Sequence, residues 1–477
     1  MPWTPPNRTS PSRPAAPAAM SSAPAEKVNR SQVTSVLFGN QLHSDTPRLP
    51  INNDTVLQLS GKDGNGQPAK VPISGDILKR HMMFLGGIGT GKTNALNQIL
   101  QQINEHMTEK DVMIIFDTKG DFYRNFYNKE TDVVISNDRK SCGPGGVPDY
   151  WNIFNEIGIG NEDEEANISE IAKALFREAC EKTSQVFFPN AARDIFASIM
   201  THHLRLKGKN GSNDFCNNDS LISFVKNRTS SDLRTMLNGY PDMRALTSYI
   251  YSDDSPQTQG VLSEMQQVIG DIFVGNFAKK GTLGLRNLVR QKGGRRIFIE
   301  YDLSYGELLT PIYSLMFDMA IKETLGRANQ EQQGHPGNVY FIADEFRLLP
   351  NLEHIDDAVN FGRSLGVRFI IGIQNVEQIY DNYGEQRARS ILSGFLTSFN
   401  FRVNNPTSRE YIKEQFGQNR KIEVYATNVQ DKKMVEERRD GYVVEDWDIN
   451  NLEIGQAIIG LPEQEPFLFL FDRYPEK

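Results

Sequence analysis

Cysteine is nearly absent: three occur in 477 residues, and Cys142, Cys180 and Cys216 form no C-x-x-C pair. That excludes a disulfide framework or cysteine zinc site and suits a reducing compartment. Long apolar runs are missing too. The longest have strand length, Val112 to Phe116 and Phe369 to Ile373 being examples, whereas a membrane-spanning helix needs about 20 apolar residues. No segment reads as a bilayer span. Positive charge is not in excess: a net charge of −8 and a pI near 5.6 argue against a surface that coats nucleic acid, while leaving room for a narrow basic channel. Seven histidines are too scattered to nominate a metal cluster. Residues 1–32 are poor in core-forming side chains, being mostly Pro, Ala and Ser with Arg8, Arg13 and no acid before Glu26. This reads as a disordered tail, and its prolines interrupt the apolar face a targeting peptide would need. The rest is ordinary globular composition, 38% hydrophobic and 23% charged, long enough for roughly two to four domains.

Against this background one run stands out. Gly86-Gly87-Ile88-Gly89-Thr90-Gly91-Lys92-Thr93 fits the phosphate-binding loop pattern G-x-x-x-x-G-K-[ST]. His81 to Leu85 before it reads as a buried strand, and Asn94 to Leu100 after it carries apolar residues at helical spacing. That strand, loop and helix context is the one the motif requires. Glycines let the backbone curl so that its N–H groups and the positive end of the helix dipole face a phosphate. Lys92 would reach the β- and γ-phosphates, and the Thr93 hydroxyl would sit on Mg²⁺. ATP and Mg²⁺ are therefore the expected cofactors.

A second constellation follows downstream. Val339 to Ala343 is apolar and runs into Asp344-Glu345, a buried strand delivering two carboxylates to the end where the phosphate loop also emerges. Asp344 would hold Mg²⁺, and Glu345 would act as general base on the attacking water. Gln374 ends the next strand, Arg368 to Ile373, where an amide can sense the γ-phosphate or orient water. Arg363 lies on the helical stretch between these strands. It is a candidate arginine finger, although on spacing alone the reading as a surface arginine on a helix wins. Asp117, Lys119 and Asp121, after the strand Val112 to Phe116, could face the nucleotide or a central channel. The acid-free basic segment Lys279, Lys280, Arg286, Arg290, Lys292, Arg295 and Arg296 reads either as a solvated face or as a set of phosphate contacts.

The fold class expected is α/β, a RecA-like nucleoside triphosphatase core with an inserted all-α domain. After the tail at 1–32, residues 33–154 form the first part of the nucleotide-binding domain, 155–290 the all-α domain, and 291–477 the second part. The helical reading rests on stretches such as Ile168 to Phe176, Ala191 to His203 and Val261 to Ile272. Strands near Ala457 to Ile459 and Pro466 to Phe471 would extend or cover the sheet edge.

Beside the phosphate loop and Asp344-Glu345, several motifs resemble one family. These are Phe116-Asp117-Thr118-Lys119-Gly120-Asp121, Tyr150-Trp151-Asn152-Ile153-Phe154, Phe188-Pro189-Asn190-Ala191-Ala192-Arg193, Gly372-Ile373-Gln374-Asn375 and Gly455-Gln456-Ala457. From about Val33 to Lys477 the chain resembles the coupling proteins of type IV secretion systems, the TraD/TraG class within the FtsK/HerA group of ring ATPases. The resemblance implies a hexameric ring with nucleotide between subunits, Arg363 as the finger for a neighbour's site, Gln374 as the sensor, and ATP hydrolysis that moves DNA, expected single-stranded, in conjugative transfer. It also implies relaxase or effector substrates and a cytoplasmic position recruited to the inner face of the bacterial membrane. Such proteins typically begin with transmembrane helices, and this chain offers the Pro/Ala tail instead, so either a membrane component is separate, or the protein is a soluble relative, or the anchor lies outside this sequence. Two other readings compete: a HerA/FtsK-like double-stranded DNA translocase in repair or defence, and a nucleotide-switched docking platform for secretion substrates.

Overall fold

Alternation within one short apolar run sets the architecture. Met83 and Leu85 face one hydrophobic core, and Met82 and Phe84 face the other. A strand buried on both faces belongs in the middle of a parallel sheet with helices on each side. In the computed structural model, which describes residues 33–138, 140–158, 163–211, 213–326, 337–426 and 434–475, this is where it lies. The tail at 1–32 lies outside the described residues.

The strands in chain order are β1 (Val33–Phe38), β2 (Thr55–Asp63), β3 (Pro68–Ser74), β4 (Met82–Leu85), β5 (Val112–Asp117), β6 (Val133–Ile135) and β7 (Arg295–Glu300). They continue with β8 (Val339–Ala343), β9 (Val367–Ile373), β10 (Thr397–Phe401), β11 (Gln418–Ala426), β12 (Met434–Tyr442), β13 (Gln456–Gly460) and β14 (Phe467–Phe471). Eleven of them form one sheet in the order β3-β2-β14-β13-β10-β4-β9-β8-β5-β7-β6. From β10 to β6 all neighbours are parallel. From β10 outward through β13, β14, β2 and β3 they are antiparallel. The C-terminal strands thus extend the parallel core, and the β2–β3 hairpin forms the outer edge. A second sheet, β1-β11-β12, belongs to a separate compact unit made of residues 33–38, 420–426 and 434–440.

Between Ile153 and Gln291 the described residues contain helices and no strand. The longest are Glu164–Glu181, Phe187–Asn210 and Pro256–Ile272. The entry to this region is fastened by two buried amides. Asn152 donates to the carbonyls of Cys216 (2.9 Å) and Gly281 (3.2 Å), and Asn218 donates to those of Trp151 (2.9 Å) and Phe277 (2.8 Å) while accepting from the Ile153 N–H. Beside them the buried Glu156 carboxylate accepts from the Trp151 indole at 2.8 Å and from the N–H groups of Leu285 and Arg286. The buried amides of Asn152 and Asn218 and the Glu156 carboxylate thus meet partners of matching sense, as burial demands. The Trp-Asn-Ile-Phe motif is therefore the joint between chain segments on either side of the helices.

Candidate nucleotide-binding site

Parallel strands deliver loops to one edge, and β4, β9, β8 and β5 are consecutive neighbours. The phosphate loop leaves β4, Gln374 follows β9, Asp344-Glu345 follow β8, and Asp117 ends β5 with Thr118 and Lys119 behind it. The loop is held on both flanks. The Gly86 N–H donates to the Ile373 carbonyl at 3.1 Å, and the Gly87 N–H donates to that of Arg402 at 2.9 Å. Gly91 has φ +106°, and a Cβ there would lie 2.7 Å from the Gly455 Cα. Gly455 in turn donates its N–H to the Thr90 carbonyl at 2.8 Å. Glycine at 91 is thus a packing requirement between two backbones, and glycine at 455 answers its left-handed φ of +86°. Ile88 at the loop tip is exposed, and Thr93 lies in the first turn of the helix Lys92–His106. Lys92 Nζ folds back on its own loop, donating to the carbonyls of Gly86 and, at 3.1 Å, Gly87. Burial pulls this ammonium down to about 8, with Asp344 and Glu345 pulling the other way.

Glu345 and Gln374 meet directly, the amide nitrogen donating to Oε2 of the carboxylate. The strands can approach this closely because a Cβ at Gly372 would come within 2.3 Å of the Asp344 carbonyl oxygen. Asp344 Oδ1 accepts from the Thr118 hydroxyl at 3.2 Å. Burial, reinforced by the nearby carboxylates Asp117 and Glu345, pushes the Asp344 carboxyl up to about 7. Asp117 is also raised by burial, although three backbone N–H groups on its carboxylate oppose the shift. A buried carboxylate pair that is costly to ionise calls for a divalent cation, so the residues fit Mg²⁺.

Arg363 is not brought to this edge. It sits in the short 3₁₀ turn Gly362–Leu365 that precedes β9 and donates to Asp76 Oδ1 at 2.6 Å. Asp76 belongs to the helix Gly75–Leu78 ahead of β4 and also bonds Arg80. Arg80 and Arg363 together hold its carboxyl below the ordinary range. Arg363 therefore occupies the opposite end of the sheet. Gly86 is bonded to the last residue of β9, a strand of seven residues, so at ~3.3 Å per residue Arg363 is on the order of 20 Å from its own phosphate loop.

The basic segment from Lys279 to Arg296 divides: Lys279 and Lys280 are exposed, as the solvated-face reading expects, whereas Arg286, Lys292 and Arg296 are buried. Most of its charges are engaged within the chain, so it is not a row of free phosphate ligands. Arg286 and Arg290 both grip Glu323, at 3.0 and 2.6 Å. Arg296 pairs with the fully buried Asp132 at 2.9 Å, Lys280 pairs with Asp214 at 2.9 Å, and Lys279 bonds Asn276 and lies over the Tyr150 ring. The partners lie up to 164 residues away in sequence, so local charge counting gives no sign of them.

Two groupings escaped the sequence reading. Arg347, two residues past Glu345, donates to Glu345 Oε1 at 3.1 Å. Elsewhere His354 Nε2 meets Glu170 Oε1 at 2.6 Å and Asp318 Oδ2 at 3.9 Å. Lys322 also bonds Glu170, so this cluster neutralises its own charge and fastens the helix Glu164–Glu181 to the segment before Ile355.

Comparison with known proteins places this geometry. Residues 66–470 match the model of the type IV secretion-system coupling protein DNA-binding domain. The coupling protein TraD of Escherichia coli (strain K12) is 22% identical over 394 residues, which cover 80% of this chain and 49% of TraD. The chain thus spans about half the length of that curated relative. Among solved structures, the unbound bacterial conjugative coupling protein TrwBdeltaN70 superposes with a TM-score of 0.70 at 20% identity, covering 92% of this chain and 94% of that one. The plasmid coupling protein TrwB in complex with ADP and Mg²⁺ gives 0.69 at 19% identity, covering 93% and 95%. At such identity the likeness establishes the fold, an α/β RecA-like P-loop core with a helical domain. Among the described residues no helix is long and apolar enough to cross a membrane. With the family model matched over most of its length, the chain belongs to the type IV secretion-system coupling protein DNA-binding domain family.

Proposed function

We propose that this chain is the motor of a conjugative or type IV secretion coupling protein: a Mg²⁺-dependent ATPase that assembles as a ring, a hexamer in the simplest case, and drives single-stranded DNA through its pore. In this reading the nucleotide-binding domain comprises 33–154 and 291–477, and 155–290 form an all-α insertion. The observation that carries it is the convergence of the phosphate loop, Gln374 and Asp344-Glu345 at one edge of three adjacent parallel strands. Gly86 to Thr93 would wrap the phosphates, with Lys92 turning from its loop carbonyls to the β- and γ-phosphates. Thr93 and Asp344 would hold Mg²⁺, which when bound offsets the phosphate charge. Water would attack the γ-phosphorus as the bond to the β–γ bridging oxygen breaks and its electron pair leaves with ADP. Glu345 would take the water proton, with Gln374 beside it as the γ-phosphate sensor. Arg363 is too far from its own phosphate loop to serve it, which supports a role at the site of a neighbouring subunit. Relaxase or effector substrates and a membrane component that recruits the ring to the inner face of the bacterial membrane complete the proposal.

The test is ATP hydrolysis against protein concentration, without DNA and with single- or double-stranded DNA, with Lys92→Ala and Glu345→Gln as controls. A rate that climbs faster than protein concentration and rises with single strands, with Lys92→Ala dead and Glu345→Gln reduced to a small residual rate, supports the motor. Preference for duplex would move the reading to a double-stranded DNA translocase. A linear rate indifferent to DNA would favour a nucleotide-switched docking platform.

A further inference from the structure

We infer that Arg347 is a positioning residue for Glu345, holding the carboxylate in the orientation from which it accepts the water proton; this rests on the hydrolytic reading above. Glu345 leaves β8 with φ −132° and ψ 72°, and Phe346–Leu348 close a single 3₁₀ turn behind it. That turn swings Arg347 back over the residue two positions before it. Its Nε–H donates to Glu345 Oε1 at 3.1 Å, and Gln374 donates to Oε2 from the other side. With one donor on each oxygen, rotation of the carboxylate is opposed from both ends, while each oxygen keeps lone-pair capacity for water.

The position of Arg347 is itself imposed by packing. Phe346 is buried and stacks on Tyr383 with ring centroids 6.1 Å apart and planes 4° from parallel. The Arg347 carbonyl accepts from Asn382 at 2.7 Å, and the Tyr383 hydroxyl donates to the Leu349 carbonyl at 2.6 Å. The turn is thus anchored to the helix Glu377–Tyr383 through backbone and ring. A guanidinium on a fixed turn loses little further freedom when it holds a carboxylate, which is what preorganisation requires. Glu345 is 12% exposed and Arg347 40%. Arg347 also borders a cavity of about 940 Å³ shared with Arg177 and His354. Truncating its side chain therefore enlarges an open space and leaves the packed core intact.

The test uses the full chain with Arg347→Ala and Arg347→Lys, each in the wild-type and the Glu345→Gln background, read by single-turnover hydrolysis, steady-state kcat and KM, and affinity for a non-hydrolysable ATP analogue. Arg347→Ala should lower kcat about tenfold, a fraction of what a general base contributes, with KM and analogue affinity within about twofold of wild type. Arg347→Lys should recover part of the loss, since it restores the charge without the fixed Nε–H. In the Glu345→Gln background, Arg347→Ala should cause no further loss, because the carboxylate it orients is gone. An unchanged kcat, a rise in KM alone, or the same fold-loss in both backgrounds would overturn the inference while leaving the hydrolytic reading standing. A wild-type chain that binds the analogue yet never hydrolyses ATP would overturn both.

Discussion

Binding of Mg²⁺ with a nucleotide should move protons in opposite directions on the two sides of pH 7.5. Burial and two neighbouring carboxylates push Asp344 up to about 7, and burial draws Lys92 down to about 8. Magnesium binds only the ionised aspartate and so expels its proton, whereas phosphate favours the ammonium and draws a proton onto Lys92. At pH 6.5 these values leave Asp344 about three-quarters protonated and Lys92 almost fully charged, so binding should release about 0.7 proton. At pH 8 Asp344 is about nine-tenths ionised and Lys92 about half neutral, so binding should take up about 0.4 proton. The assay is titration calorimetry with a premixed Mg²⁺ complex of a non-hydrolysable ATP analogue, repeated in buffers of different ionisation enthalpy. The slope of observed heat against buffer enthalpy counts the protons. Asp344→Asn should abolish the release at pH 6.5 and leave the uptake at pH 8, while Lys92→Met should do the reverse. Slopes left unchanged at both pH values by both Asp344→Asn and Lys92→Met would refute the assignment of these two groups to the metal and the phosphate.

Three further outcomes are expected. If Arg363 completes a neighbour's site, mixing equal amounts of Lys92→Ala and Arg363→Ala, each inactive alone, should restore about a quarter of wild-type hydrolysis, because a random ring pairs an intact loop with an intact finger at about one interface in four; no recovery would mean that the two residues do not share a site. Asp344 ionises less readily folded than unfolded, so stability is lost as pH rises from 3.8 through about 7; Asp344→Asn should therefore stabilise the nucleotide-free protein at pH 8 by about 2 kcal/mol, half the upper limit set by the shift, with the gain in denaturant unfolding shrinking toward pH 5. Glu156 accepts three buried donors, so Glu156→Leu should cost about 3 kcal/mol by leaving them unpaired, measurable as a lower denaturation midpoint.

What was legible in the chain follows from the range over which each signal acts. The phosphate loop, the strand before it and the carboxylates after β8 are local patterns, and their partners in the sheet follow from parallel-strand topology. Gln374 was legible for the same reason, since a residue that ends a central strand must emerge at that edge. The basic run from Lys279 to Arg296 misled because its countercharges, Asp132, Asp214 and Glu323, sit on segments remote in sequence. His354 looked isolated because Glu170 lies 184 residues before it. Arg347 is only two residues from Glu345, but their contact depends on a 3₁₀ turn anchored by Asn382 and Tyr383, and no spacing rule announces such a turn.

In the proposed ring the two ends of the sheet would carry different parts of one reaction. At the C-terminal edge the groups are buried, their charges unbalanced, and their geometry fixed by neighbouring backbone. At the opposite edge Arg363 is 42% exposed and rests on Asp76, itself 47% exposed. An ion pair this open to water contributes ~0–1 kcal/mol, and Arg80 remains to hold Asp76 when Arg363 leaves. A bidentate guanidinium–phosphate contact is stronger than such an open pair, so in the proposed ring little would hold Arg363 back from a neighbour's nucleotide. The weak resting contact therefore suits a group whose proper partner is supplied by assembly. Under the proposed ring, hydrolysis that depends on subunit contact would follow from where the sheet puts its arginine, without any change in the fold of the protomer.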